Sequence, residues 1–427
     1  MTGHLLTVGD EILLGQIVNT NAAWLGERLA AAGLDVRRAE TVGDDVDAIV
    51  AALERAYADG AAVVVVTGGL GPTHDDVTKA AVARAFGRGL VFHPDLYDAI
   101  DARYAARGRT MPPLGRVMAE VPEGFEALEN PKGSAPGLWG EREAGGRWQA
   151  VAVLPGVPYE MEAIAEGSVF PRLRERQDGV VLSRTLLTVG RGESDIAAQL
   201  GDLSDVLHDG LSLAYLPSLG TVRLRVTARG ADRAAAQDQM DRATDAIRDA
   251  LGTLVFGEGE TTLEAVVNEA LAAHGLTLAV AESCTGGSMA ARITSVPGSS
   301  RVFCGGVVAY DNHFKTSLLG VDPDVLARDG AVSEAVALQM AVGARDRLGA
   351  DVGVAATGVA GPGGGTPEKP VGTVWLAYAD AETTRAVRLQ LTRDRAVNVG
   401  LSTTAALDLV RRQLLRRDRV AEGPEAE

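Results

Sequence analysis

Ser283 stands in the run Ala281-Glu282-Ser283-Cys284-Thr285-Gly286-Gly287, between an apolar segment and an amphipathic one. Hydroxyl residues and glycines at a helix start leave backbone N–H groups that stabilise an anion or a developing oxyanion, so Thr285, Gly286 and Gly287 are candidate substrate contacts. Ser283 itself reads as a nucleophile or as the helix N-cap. Cys284 is the rival nucleophile, since thiolates are intrinsically stronger, although small buried cysteines are usually inert. A serine nucleophile needs a base. Lys315 closes the run Tyr310-Asp311-Asn312-His313-Phe314-Lys315, about one helical turn past Asp311, from where its amine can reach back over the preceding strand end. Desolvated, that amine could lose its proton and act as base; in water it would be an ordinary surface cation. A third run, Ala356-Thr357-Gly358-Val359-Ala360-Gly361-Pro362, reads as a ligand loop or as a plain turn. Arg395, at the start of the last helix, carries a guanidinium able to hold a phosphate bidentately.

A separate set lies near the N-terminus. Thr67-Gly68-Gly69-Leu70-Gly71-Pro72-Thr73-His74-Asp75-Asp76 follows a run of valines, and glycines at the carboxyl end of a strand let backbone N–H groups approach a phosphate. Asp75 and Asp76 would repel that anion unless a divalent cation lay between them; the plainer reading is that they cap the next helix. Gly9-Asp10-Glu11 with Asn19-Thr20-Asn21 forms a second polar cluster, on the same sheet edge if the strands are parallel. There, Asn19 or Thr20 reads equally well as a helix cap.

Positioning these residues falls to alternating apolar and amphipathic segments, the pattern of βα units building a parallel sheet. Strands are expected at 4–8, 61–66 and 148–154, and a helix at 21–32 with Ala22, Leu25, Leu29 and Ala32 on one face. A polar break at 177–179 precedes strand-like 185–189 and 221–227 and an Ala-rich helix at 231–251. A helix at 261–274 and strands at 276–281, 302–310 and 352–355 follow. These boundaries predict an α/β fold: an N-terminal three-layer domain at 1–175, a small α+β linker domain at 176–257, an α/β domain at 258–418 and a disordered tail at 419–427.

The 427 residues carry a net charge of -16, which argues against a surface that tracks nucleic-acid phosphates. No apolar run is long enough to span a bilayer and no secretion signal opens the chain, so a cytoplasmic protein is expected. Two cysteines and six histidines make a zinc cage a poor expectation; any metal should be a hard ion held by carboxylates and substrate oxygens.

The segment 1–170 resembles the molybdopterin-binding-like domain of the CinA (competence/damage-inducible) family through VGDEILLGQIVNTN, TGGLGPTHDD and LPGVPYEM. The segment 261–416 resembles the family's C-terminal nicotinamide-nucleotide amidohydrolase domain through AESCTGG, VVAYDNHFK, GAVSE, ATGVAGP and KPVGTVW. The second resemblance implies a metal-free Ser-Lys amidase that converts nicotinamide mononucleotide to nicotinic acid mononucleotide and ammonia. It puts the nucleophile on Ser283, the base on Lys315 and a supporting hydroxyl on Tyr310, with Thr357 and Gly358 as ligand contacts and Arg395 as phosphate anchor. Where the family commonly has Gly-Asp-Arg, this chain has Arg393-Asp394-Arg395, so Arg393 competes for the anchor. The first resemblance implies a nucleotide or pterin pocket and, in some relatives, a metal-dependent ADP-ribose pyrophosphatase. On that reading Asp75 and Asp76 with Glu11 hold Mg, Mn or Co, while Gly68, Gly69 and Gly71 cradle phosphates. The partners implied are small nucleotides and a second copy of the chain in a homodimer. The alternatives are a non-catalytic molybdopterin-binding protein and an accessory factor for competence or recombination.

Overall fold

An uninterrupted run of valines suits a strand covered on both faces, and in the computed structural model Val63–Thr67 is buried at every position. The structure describes residues 1–73, 76–176, 179–204, 206–208 and 210–421. They form two compact units, Met1–Leu182 with Arg229–Ala236, and Ser183–Ala228 with the residues from Gln237 onward. Most of the sheet of the segment read as a linker domain falls within the second unit.

In the first unit the elements are β1 (Thr2–Val8), α1 (Thr20–Ala31), β2 (Asp35–Val42), α2 (Val46–Ala58), β3 (Val63–Thr67), α3 (Thr78–Ala85), β4 (Glu126–Leu128), β5 (Gly137–Ala144), β6 (Arg147–Leu154) and α4 (Pro158–Ile164). One sheet runs β2-β1-β3-β6-β5-β4. Its first four strands are parallel, whereas β5 and β4 are antiparallel. The sheet is therefore mixed rather than purely parallel, because Gly145 and Gly146, both at positive φ, close a two-residue hairpin between β5 and β6. Helices cover both faces. Leu25 and Leu29 of α1 pack with Val63, Val65 and Ala152 on one side, and Ile49 and Leu53 of α2 with Val64, Val66 and Val153 on the other.

Next along the chain come β7 (Val180–Val189), β8 (Leu211–Ser218), β9 (Thr221–Gly230), α5 (Arg233–Leu251) and β10 (Val255–Glu258); the strands form a sheet in the order β8-β9-β7-β10, most of whose residues belong to the second unit. Beyond it come α6 (Leu263–Ala273), β11 (Leu278–Glu282), α7 (Ser288–Thr294), β12 (Phe303–Val308), α8 (Asn312–Leu319), α9 (Glu334–Leu348), β13 (Val352–Gly358), β14 (Thr373–Ala379), β15 (Thr384–Gln390) and α10 (Arg395–Ala421). Their sheet runs β12-β11-β13-β14-β15. The first three strands are parallel and the last two antiparallel, so this sheet is mixed as well. Met289 and Ile293 of α7 are buried beneath Leu407 and Val410 of α10 in one core, and α9 covers the opposite face. Among the described residues no helix is long and apolar enough to cross a membrane.

Candidate active site

Three parallel strands end side by side in the second unit, and each delivers one of the expected residues. Glu282 pairs with Val308 on one flank and Ala356 on the other, Ala309 N–H donates to Glu282 O at 2.8 Å, and Ser283 N–H donates to Ala356 O at 3.0 Å. Ser283 therefore sits between the strand end carrying Tyr310 and the one carrying Thr357.

Lys315 is not a surface cation: it is 1% exposed, because the first turns of α8 fold its side chain back over β12. Its Nζ donates to Ala309 O at 2.8 Å and Tyr310 O at 3.2 Å. Burial holds its pKa below the ordinary lysine value, against smaller opposing pulls from Asp311 and Cys284. Asp311 is occupied as N-cap of α8, accepting from His313 N–H at 2.8 Å. A neutral amine has two N–H donors and one lone pair, so two carbonyl acceptors at this site are compatible with a lysine whose lone pair is left for a proton.

Ser283 does not cap the helix. The N-cap position of α7 is Gly287 and the helix end is held by the Glu282 carboxylate, a role sequence reasoning missed. Glu282 also accepts from Met289 and Ala290, and Gly286 N–H donates to Ser283 O at 3.2 Å. The N–H groups of Gly286 and Gly287, expected as oxyanion donors, are thus already engaged. Cys284 belongs to the hydrophobic core, and burial pushes its thiol up to about 11. At neutral pH it is a protonated, packed side chain, not a thiolate.

Tyr310 is exposed, and its hydroxyl accepts from Arg395 Nη2 at 2.8 Å while Nη1 of the same guanidinium donates to Gly361 O at 2.9 Å. Arg395 therefore reaches the strand edge where Ser283 lies. Arg393 is exposed at the turn before α10. The buried Asn398 fixes that turn: its Oδ1 accepts from Thr392 N–H and its Nδ2 donates to Ala360 O. Thr357 is fully buried and spends its hydroxyl on Ala331 O at 2.8 Å, tethering the segment Gly330–Ser333 that starts α9. A Cβ at Gly358 would run into Val374 and Thr373 O, so close packing of β13 on β14 accounts for this glycine. The Thr357 hydroxyl proton is thus committed to the protein, and Gly358 offers backbone atoms alone.

In the first unit, β1, β3 and β6 end in register and their loops line a cleft of about 710 Å³. Gly9, Glu11, Asn19, Thr20, Asn21, Gly68, Gly69, Gly71 and Asp76 all border it, so one pocket joins the two polar clusters. Arg107, Ser134 and Glu160 also line it; they come from segments that sequence reasoning left outside the site. Asn19 caps α1 through Ala22 N–H and donates to Thr7 Oγ at 2.9 Å. Asn21 Nδ2 donates to Gly156 O at 2.7 Å, and its Oδ1 is buried without a partner.

The glycine loop is held by protein atoms. A Cβ at Gly68, φ +105, would strike Val8 O, and one at Gly69, φ +62, would strike the Thr78 hydroxyl. Gly68 N–H donates to Leu154 O, and Gly71 N–H donates to Asp76 Oδ1 at 2.8 Å. Asp76 Oδ2 accepts from Thr73 N–H at 2.8 Å and from the Thr73 hydroxyl. Asp76 thus does not cap α3, and both its oxygens accept from the loop itself. Asp75 and His74 lie outside the described residues. Among the described residues no group of three His, Cys, Asp or Glu side chains could hold a metal ion; Glu11 and Asp76 border the cleft, and Asp75, the third expected ligand, is not among those residues. Of the loop amides, those of Gly69 and Leu70 have no acceptor among the described residues. Buried Lys79 of α3 donates to Val117 O at 2.6 Å, and burial lowers its pKa to about 8.

Family models match along almost the whole chain. One described as "Probable molybdopterin binding domain" matches residues 4–175, the "Damage-inducible protein CinA KH domain" matches 183–257, and the "CinA C-terminal domain" matches 260–414. A CinA-like protein of Salinibacter ruber is 51% identical over 97% of this chain and 100% of its own length. A CinA-like protein of Gemmatimonas aurantiaca is 45% identical over 97% of this chain and 96% of its own. Among solved structures, a CinA protein with unknown function from Thermoplasma acidophilum is 40% identical, covering 40% of this chain and 97% of its own, with a TM-score of 0.36.

Proposed function

The chain belongs to the CinA family, and from that premise we propose that its C-terminal domain is a Ser-Lys amidohydrolase acting on nicotinamide mononucleotide. The observation that carries this reading is the environment of Lys315, an amine 1% exposed whose acceptors are two carbonyls beside the strand end of Ser283. A lysine desolvated in this way is a general base rather than a counter-ion.

In the proposed reaction Ser283 Oγ attacks the carboxamide carbon and its proton passes to Lys315 Nζ. The tetrahedral intermediate then collapses, Lys315 returns the proton to the departing amine, and ammonia leaves. Water hydrolyses the acyl-enzyme with Lys315 again as base, releasing nicotinic acid mononucleotide and Ser283. Tyr310, bonded to Arg395, supports the substrate between the strand edge and the phosphate anchor, and Arg395 is the better placed of the two arginines for that anchor.

The decisive measurement is ammonia release from nicotinamide mononucleotide. Ser283→Ala should lose at least 1,000-fold in kcat, a loss on the scale of removing a nucleophile, while Cys284→Ala stays within a few-fold of the parent. Full activity in the serine variant would sink the mechanism.

For the N-terminal domain the reading is a nucleotide- or pterin-binding pocket, supported by the N–H groups of Gly69 and Leu70 and the Asn21 Oδ1 around one cleft, none of which has a partner among the described residues. Metal-dependent cleavage of ADP-ribose is the specific activity proposed there. It fails if no turnover occurs with Mg, Mn or Co supplied, leaving a binding domain. The assembly proposed is a homodimer, which light scattering tests.

A further inference from the structure

Glu282 immediately precedes the nucleophile and is fully buried, an expensive place for a carboxylate unless its oxygens are satisfied. They are satisfied by one helix end: Gly287 and Met289 N–H donate to Oε2 at 2.9 and 3.1 Å, and Ala290 N–H donates to Oε1 at 2.9 Å. The main chain of the same residue is paired with β12 and β13. One residue thus joins three elements, with the Ser283–Gly286 segment spanning from sheet to helix.

This arrangement decides where an oxyanion can be held. The positive end of α7 is already neutralised by an internal anion, so its amides are not available to a tetrahedral intermediate. Gly286 N–H is engaged by Ser283 O. Among the described residues, the donors left in the loop are the Cys284 N–H, which faces only its own sulfur, the Thr285 N–H, and the Thr285 hydroxyl, which is buried with no partner. We propose that Glu282 is a positioning residue for the amidase: it clamps the first turn of α7 and thereby aims the Cys284 and Thr285 N–H groups as the oxyanion pair. The inference rests on the serine-amidase reading of this site and adds the residue that gives its loop a fixed shape.

Two variants of the full chain, Glu282→Ala and Glu282→Gln, test it. The alanine variant should lose about 100-fold in kcat, the scale of disturbing one oxyanion donor, with KM changed less than about threefold. The glutamine variant, which keeps one acceptor oxygen but turns an NH₂ toward the helix, should recover part of the loss. Activity is read per folded molecule, well below the unfolding temperature, so that a residue needed only for stability would leave kcat unchanged and overturn the proposal. Amide hydrogen exchange at Gly287, Met289 and Ala290 gives a readout independent of turnover: slow in the parent, faster in both variants. Unchanged exchange refutes the clamp even if the parent releases no ammonia, an outcome that by itself refutes only the amidase reading. If the alanine variant does not fold, the glutamine variant carries both measurements.

Discussion

The two glycine loops, Gly68-Gly69-Leu70-Gly71 and Thr285-Gly286-Gly287, are alike in composition, and each has a carboxylate near it in sequence and a buried lysine in the same unit, yet they spend these groups in opposite ways. In the first unit the carboxylate follows the loop, and Asp76 turns its oxygens back on Gly71 and Thr73. In the second unit the carboxylate precedes the loop, and Glu282 reaches forward over Ser283 to the helix. A carboxylate downstream closes the loop on itself, whereas one upstream leaves a hydroxyl-bearing segment at the sheet edge. The lysines differ in the same sense. Lys79 is satisfied by Val117 O, away from any nucleophile on its own loop, while Lys315 bonds the strand end that flanks Ser283.

The largest effect expected from breaking this contrast is at Lys315. Replacing it with Met should lower kcat by about 10² to 10⁴, the range of a lost general base. Because burial lowers its pKa, the neutral fraction rises with pH and reaches one half below the ordinary lysine value of 10.5. The parent's rate should therefore climb with pH with its half-maximal point below that value, and Lys315→Met should lack this limb. A half-maximal point at or above 10.5 would mean that the lysine is not perturbed as described.

Next in size is the anchor. Arg395→Ala should raise KM for nicotinamide mononucleotide about 10-fold, the scale of a lost charge-assisted pair, and Arg393→Ala should change it less than twofold. Steady-state kinetics that reverse this order would move the anchor to Arg393. The smallest effect is at Asp76: removing the acceptor for the Gly71 and Thr73 amides by Asp76→Ala should cost about 1–3 kcal/mol of stability in the first unit, with amidase kinetics unchanged. If Mn raises the melting temperature of the parent but not of this variant, Asp76 is a metal ligand, and the contrast between the loops is wrong.

The scaffold was largely legible because unbroken apolar runs and 3.6-residue periodicity are local signals; 148–154, for example, is β6 apart from its first residue. The direction of β5 was not legible, since it depends on a glycine hairpin rather than on the apolar pattern. At the sites, residue types pointed to Ser283, Lys315 and Arg395, and the structure brings all three to one strand edge. What sequence could not give is how polar groups are shared across the fold. Thr357 was expected to meet a ligand but bonds Ala331 O, a partner that exists only after β13 and the start of α9 meet. Glu282 was passed over for the same reason: before a serine and glycines it reads as the end of a strand, and its worth appears only when α7 turns back on it.

The bond between the Tyr310 hydroxyl and Arg395 spans 85 positions of the chain, and the helix that starts at Arg395 is 27 residues long, about 40 Å. During synthesis Tyr310 leaves the ribosome 85 residues ahead of Arg395, so the bond between this strand end and α10 forms only after the intervening strands and helices have been made.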